Sequence, residues 1–451
     1  MKKNTQHEIE IQSVTAKGFG VGYIDGFTVF VEGGLPGDKL NVRILKAKTR
    51  YGFAKIVKIL TPSPHRIESP CPVSDRCGGC QWQHAEYSAQ LGYKKQLVVD
   101  ALERIGHVKN PPVLDVLGMS SSPIHYRNKA VFPVVPHNNE DGFAIGMFAP
   151  RSHRIVEVDY CNIQHPAHVE VLKIVKKHMR DNKVTPYDET THRGLMRFIS
   201  IRTSLATGEV MVVLTINGNK FPHERALAED LAKAGVTTVV ISRHTAKSNV
   251  VLGDRFRVIS GTGFISEDIG HVTYQISAPS FFQVNPVQAK ALYEIAVAQA
   301  NIKNKTVIDA HVGAGGVSLY AAKHAKEIIG VDIVPEAIED GQKNAEINGV
   351  TNLRFICGAA EEVIPPILQE TDAPQLIFLD PPRKGCDPAL LKAIISAKIE
   401  EIVYISCDPA TFARDVKILI EGGYELVTVQ PVDMFPHTGK VETTALLCRT
   451  K

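Results

Sequence analysis

In YISCDPATFARD, Tyr404 to Asp415, a single cysteine stands between an apolar strand pattern and the start of a helix. Asp408 suits the N-cap and Pro409 the first helical position. The Cys407 thiol is therefore predicted beside the positive end of a helix, where thiolate is favoured over an ordinary pKa of about 8.5. Burial as a small apolar filler is the commoner fate of an isolated cysteine, but the carboxyl end of a strand in an α/β unit is where ligands bind. A thiolate there can add to carbon 6 of a pyrimidine, turning the ring into an enolate whose carbon 5 attacks an electrophile. The reaction also needs a base for the carbon 5 proton. VDMFPHTGKVETTALL offers Asp433, His437 and Glu442. Glu442, which opens an otherwise apolar strand, is the expected base.

A second group of residues points to a cofactor. VIDAHVGAGGVSLYAA places a glycine-rich turn between strand and helix, and IIGVDIVPEAI ends the next strand with Asp332, about twenty residues on. A carboxylate so placed accepts both hydroxyls of a ribose, which implies an adenosine-type ligand. Gly313, Gly315 and Gly316 lack the third spaced glycine of a dinucleotide fingerprint, and DAHVGAGG resembles the first motif of S-adenosylmethionine-dependent methyltransferases. LIFLDPPRKG brings Asp380 to the same rim. Enzymes that methylate exocyclic amines carry an aromatic residue after a similar motif; Arg383 stands there instead and points to another acceptor atom.

CPVSDRCGGCQW supplies Cys71, Cys77 and Cys80, and DYCNIQ supplies Cys161 as a fourth thiol. Such a cluster in a reducing compartment indicates a metal. The residues alone leave structural zinc and a 4Fe-4S cluster both open. Radical enzymes use a shorter Cys-x3-Cys-x2-Cys run that leaves one iron open, whereas a fourth cysteine is available here, so a closed site is expected. Cys357, Cys386 and Cys448 are expected to pack.

The elements that must position these residues fall into three parts. Residues 1–60 read as about five short strands with glycine turns, the size of an OB-like barrel, and a proline-rich linker follows. Residues 71–270 mix strand alternation with two helical stretches, an α+β domain built on an antiparallel sheet. Residues 271–451 alternate apolar strands and amphipathic helices, the pattern of a doubly wound α/β domain.

FFQVNP, LDPPRKG, SCDPATFARD and HTGKVE together resemble the ordered motifs of the RNA uracil-5-methyltransferase family, in its bacterial 23S ribosomal RNA branch. The resemblance covers nearly the whole chain. It implies a class I, Rossmann-like methyltransferase domain, with Cys407 as nucleophile and Glu442 as base. It further implies that Gln283, His311, Asp332 and Asp380 contact S-adenosylmethionine, that the first barrel is a TRAM domain, and that the cysteines hold a 4Fe-4S cluster. The chain departs from the family at His311, usually aromatic, at Val312, often cysteine, and at Gly316, usually Thr or Asn. Asp332 replaces a more usual glutamate.

A net charge of +3 over 451 residues does not itself demand a nucleic acid. However, Lys39, Arg43, Lys46, Lys48, Arg50, Lys55 and Lys58 form a run without an acid, a local basic surface suited to RNA phosphates. A uracil must be extruded to reach a thiol, so an unpaired loop or bulge in 23S ribosomal RNA is the expected substrate. Tyr126, Arg127, Lys129, Phe281 and Phe282 are candidate RNA contacts. No signal peptide or membrane span is legible, so a cytoplasmic monomer is expected. Two other functions stay open: a cytosine-5 RNA methyltransferase, for which Cys386 would be the second thiol, and a non-catalytic RNA-binding ribosome-assembly factor.

Overall fold

The computed structural model describes residues 1–369 and 374–450. Strands β1 (Gln6–Val14), β2 (Phe19–Ile24), β3 (Phe27–Glu32), β4 (Lys39–Ala47) and β5 (Tyr51–Thr61) close into a barrel in the order β1-β2-β3-β5-β4. Alternation decides its interior: Ile9, Ile11, Val29, Val31, Leu40, Val42 and Ile44 form the core. Lys39, Lys46, Lys48, Arg50, Lys55 and Lys58 are exposed along β4, β5 and the turn between them.

The first helix, α1 (Tyr87–Arg104), lies within the stretch read as the central domain. Its Val98 and Leu102 nevertheless pack with Ile402, Phe412 and Leu419 of the C-terminal unit. The central unit follows, with β6 (Lys129–Pro136), β7 (Phe143–Phe148), β8 (Ile155–Glu157), α2 (Ala167–Asp181), β9 (Met196–Thr203), β10 (Val210–Ile216), α3 (Glu224–Lys233), β11 (Thr238–Arg243) and β12 (Arg255–Ser260). Its sheet runs β12-β11-β10-β9-β6-β7-β8. The pairing is antiparallel except between β10 and β11, because α3 joins them and a helical crossover returns the chain in its original direction. The hairpin of β13 (Phe264–Ile269) and β14 (Val272–Ser277) shares one core with Met211 and Val240 of this sheet and Leu292 of the C-terminal unit.

The C-terminal unit comprises α4 (Pro286–Gln299), β15 (Thr306–Asp309), α5 (Gly316–Ala321), β16 (Glu327–Asp332), α6 (Pro335–Ile347), β17 (Leu353–Cys357), α7 (Ala360–Ile367), β18 (Leu376–Leu379), α8 (Pro388–Ala397), β19 (Glu401–Ser406), α9 (Pro409–Glu421), β20 (Tyr424–Val432) and β21 (Glu442–Arg449). The sheet order is β17-β16-β15-β18-β19-β21-β20. Strands β15 to β19 pair in parallel, whereas β21 is antiparallel to both neighbours. The strand order reverses between β15 and β18, which opens a crevice at their carboxyl ends. Reversal of β21 brings its first residue to that same edge.

Candidate active site

Ser406 at the end of β19 pairs with Thr443 on β21, so Cys407 and Glu442 are the next residues along facing strand ends. On the other side of β19, Leu379 pairs with Tyr404, and Asp380 follows at the same edge. These groups act on one another. Burial pushes the Cys407 thiol up to about 11, reinforced by Glu442 and Asp380 and opposed by Arg383. Burial also pushes Glu442 up to about 8, with Asp380 adding to it while Lys440 and Arg383 oppose it. Asp380 rises to about 7 through burial and the nearby Asp309.

Burial and the neighbouring carboxylates therefore oppose the thiolate that the helix start was expected to favour. Asp408 caps α9 as anticipated, accepting from the Ala410 and Thr411 N–H groups at 2.9 and 3.2 Å. That cap occupies donors that would otherwise favour a thiolate and places a like charge beside it. Asp433 and His437, the other candidate bases, serve the framework instead. Asp433 forms a fully buried ion pair with Lys94 of α1. His437 contacts the Gln90 side chain at 3.2 Å and the Pro123 carbonyl at 3.1 Å.

The glycine turn is built around two carboxylates. Asp309 accepts from the His311 N–H at 3.1 Å and the Ser318 hydroxyl at 2.6 Å, and burial raises it to about 6. Asp332 accepts from the Gly313 N–H at 3.0 Å and the Val334 N–H at 2.9 Å. Each of its oxygens keeps a lone pair for a ligand hydroxyl. Gly313 adopts φ 54° with open space where a side chain would stand. Burial lowers His311 to about 4, so its ring is neutral, and its Nδ1 is buried without a partner. The Gln283 carbonyl accepts from Asn128 Nδ2 at 3.2 Å, tying this segment to the central unit. An open glycine turn lined by an orphaned ring nitrogen and carboxylates fits an adenosine-type ligand.

Sequence reasoning missed Asp309 as a site residue, although it ends its strand as Asp332 does. It also missed Tyr293 of α4, which is buried among Asp380, Asp309 and Glu442. Nothing in the helical pattern of α4 marks that tyrosine, because its neighbours come from remote strands.

The rim toward the central unit is cationic. Lys129 on β6 faces Arg202 on β9 in register. Burial, with Arg202 and Arg127 beside it, lowers Lys129 to about 7. Arg202 donates to the Ser280 carbonyl at 2.8 Å, while its Nη1 is buried without a partner. Phe281 is 76 % exposed at this rim, whereas Phe282 packs against Tyr274. Tyr126 is also a packing residue, its hydroxyl donating to the Pro436 carbonyl at 3.1 Å.

Cys71, Cys77, Cys80 and Cys161 come within electrostatic reach of one another, and burial followed by their mutual repulsion pushes Cys80 up to about 12. Cys77 accepts from the Gly79 N–H at 3.4 Å and Cys80 from Gln83 Nε2 at 3.6 Å. In donor type the set fits a thiolate-bound group. Among the described residues, however, no three His, Cys, Asp or Glu side chains are close enough together to hold a metal ion. Cys386 is buried, with its N–H bonded to Asp415. Cys357 is exposed, which corrects its expected packing role.

Residues 86–450 match the family model described as tRNA (Uracil-5-)-methyltransferase, and residues 2–57 match the TRAM domain. An uncharacterized RNA methyltransferase of Halalkalibacterium halodurans is 44% identical over 99% of this chain and 98% of its own length. One from Caldanaerobacter subterraneus is 41% identical over 100% of this chain and 99% of its own. The crystal structure of Pyrococcus abyssi tRNA (uracil-54, C5)-methyltransferase in complex with S-adenosyl-L-homocysteine superposes with a TM-score of 0.78 at 28% identity, over 98% of this chain and 100% of that one.

Proposed function

The chain belongs to the tRNA/RNA uracil-5-methyltransferase family, and from that premise we propose that it methylates carbon 5 of an unpaired uridine in 23S ribosomal RNA. The observation that carries the chemistry is the placement of Cys407 beside Glu442 at one sheet edge. S-adenosylmethionine, when bound, supplies the electrophilic methyl group, and Gln283, His311, Asp332 and Asp380 would hold it. Cys407 loses its proton to solvent, favoured by the nearby Arg383. Its sulfur then bonds to carbon 6, and the ring's π electrons move toward the carbon 4 oxygen. Carbon 5 would form its bond to the methyl carbon as the bond from that carbon to the sulfonium sulfur breaks, the electron pair staying on sulfur in the departing thioether. Glu442 takes the carbon 5 proton, the ring double bond returns, and the carbon 6–sulfur bond breaks to release the Cys407 thiolate.

The test is tritium release from RNA labelled at uracil carbon 5, with S-adenosylmethionine, comparing the parent with Cys407→Ala. Release by the parent and none by the variant is expected; equal release would end the covalent mechanism. A transfer RNA substrate is the second reading, favoured by the transfer RNA specificity for which the matching family and the Pyrococcus enzyme are named. Transcripts of 23S and transfer RNA in the same assay decide between them.

Cys71, Cys77, Cys80 and Cys161, which do not converge on a metal site in this structure, would have to draw together to hold the 4Fe-4S cluster of this proposal. Iron and acid-labile sulfide in anaerobically purified protein, lost in Cys80→Ser, are the expected result. Among the described residues no helix is long and apolar enough to cross a membrane; the proposed enzyme acts in the cytoplasm as a monomer.

A further inference from the structure

Glu442 is reached through residues 433–441, which join β20 to β21 without helix or strand. A connection of this kind normally leaves its carbonyls to water, yet those of five successive residues are held by donors from elsewhere in the chain. Gln288 of α4 and Asn285, which caps that helix, donate through their side-chain amides to the Asp433 and Met434 carbonyls, each at 3.2 Å. Lys94 of α1 donates to the Phe435 carbonyl at 2.9 Å, and the Tyr126 hydroxyl to that of Pro436 at 3.1 Å. The Gln81 and Trp82 N–H groups, directly after Cys80, both donate to the His437 carbonyl at 3.0 Å.

His437 is held most firmly of all. Its φ of 65° is left-handed, a conformation that a residue with a Cβ keeps only where its surroundings fix it. Gln90, buried on α1, fixes both backbone and ring: its Oε1 accepts from the His437 N–H at 2.9 Å, and its Nε2 lies 3.2 Å from His437 Nδ1. The Pro123 carbonyl, 3.1 Å from His437 Nε2, can only accept, so Nε2 carries the ring hydrogen and Nδ1 accepts from Gln90. Gln90 Nε2 also lies 3.1 and 2.9 Å from the Trp82 and Ala85 carbonyls, which ties the same side chain to the segment after the cysteines. Two residues past the histidine, a Cβ on Gly439 would stand 2.6 Å from the Ala16 carbonyl, in the turn between β1 and β2, so the barrel too closes on this backbone.

We propose, resting on the reading of Glu442 as the group that takes the carbon 5 proton, that residues 433–441 form a brace that sets Glu442 for that step, with Tyr126 and Gln90 as its positioning residues. The anchors come from the barrel, the cysteine-rich loop, α1, the central unit and α4, so the base is in place only when these parts are docked together. The nucleophile has a support of its own. Cys407 follows β19, which pairs with β18 on one side, and precedes α9, whose start is capped by Asp408. Loosening the brace therefore acts on proton removal by Glu442 and spares addition by Cys407.

The test compares the full holoprotein with Tyr126→Phe, which deletes one bond to the loop, and Gln90→Met, which keeps the side-chain length but loses its polar atoms. RNA labelled with tritium at uracil carbon 5 is used, with S-adenosylmethionine saturating. Appearance of an RNA–protein adduct on denaturing gels reports addition, and tritium release reports proton removal. Each variant is expected to form adduct at the parent's rate but to release tritium about tenfold more slowly, within the roughly 10²-fold that a misplacement of about 1 Å costs, so that adduct accumulates. Amide hydrogen exchange over 433–441 should rise in both variants while that of α9 stays at the parent's level, a local loosening that general destabilisation would not produce. Equal loss of the two rates, parental release in both variants, or unchanged exchange over 433–441 overturns the proposal while the parent's own activity leaves the methyl-transfer reading standing. A parent that neither forms adduct nor releases tritium removes that reading, and the brace with it.

Discussion

Cys407 and Glu442 occupy neighbouring ends of antiparallel strands, one residue beyond the Ser406–Thr443 pair. Only an antiparallel β21 makes this possible, since a parallel strand would present its start at the opposite edge of the sheet. The thiol and the carboxylate therefore stand at the same sheet edge on adjacent strands, with Asp380 beyond β19.

Replacing Glu442 with glutamine removes the proposed base but leaves the thiol and the shape of the site. Turnover is expected to fall by about 10²–10⁴-fold. Because addition precedes proton removal, the variant should accumulate an RNA–protein adduct that survives denaturing electrophoresis. An active variant with no adduct would contradict the assigned role.

Activity should rise with pH. Glu442, facing Asp380, Arg383, Lys440 and Cys407, is held up at about 8, and only its carboxylate can accept the proton. The value of kcat/KM is expected to climb from pH 6 and bend near 8, and to climb again as the thiol ionises toward about 11. Stability should move the other way. A carboxyl whose folded pKa exceeds its unfolded one stabilises the fold while protonated, and that contribution is lost as pH rises from its unfolded value, near 4.5, through its folded one. Urea midpoints of Glu442→Gln should therefore depend less on pH than those of the parent between 6 and 8.

The cations Lys129 and Arg202 face each other with Arg127 nearby, an arrangement that an RNA phosphate would neutralise. Lys129→Met is expected to weaken RNA binding at low salt and to reduce the slope of log K against log salt by about 1. Phe281→Ala, which removes an exposed stacking surface, should lower affinity without altering that slope. Fluorescence anisotropy over a salt series distinguishes the two effects.

The Lys94–Asp433 pair pins α1 to the strand end after β20. Asp433→Ala strands a buried ammonium and should destabilise the protein by about 3–5 kcal/mol in urea unfolding. Pairing it with Lys94→Met should restore much of the loss, because both charges then leave the interior. Little change in the single variant would show that the pair is not buried in solution.

Local pattern was enough for the barrel, the alternation of strand and helix, the Asp408 cap and the residues that could do chemistry. Each depends on neighbours within a few positions: alternation in Ile9 and Ile11, proline after aspartate at the start of α9, and glycine between β15 and α5. The sequence also determined that Cys407 and Glu442 are of the right chemical types. What tertiary structure decided was protonation and partnership. The upward shift of the thiol comes from burial and from carboxylates just after β18 and at the start of β21, and Tyr293 enters the site only because the fold brings α4 to those strands. Lys94 meets Asp433 across more than three hundred residues, and Arg202 meets Lys129 across a β-ladder. Charges interact through space, so their balance follows from the packed fold and not from the order of residues along the chain.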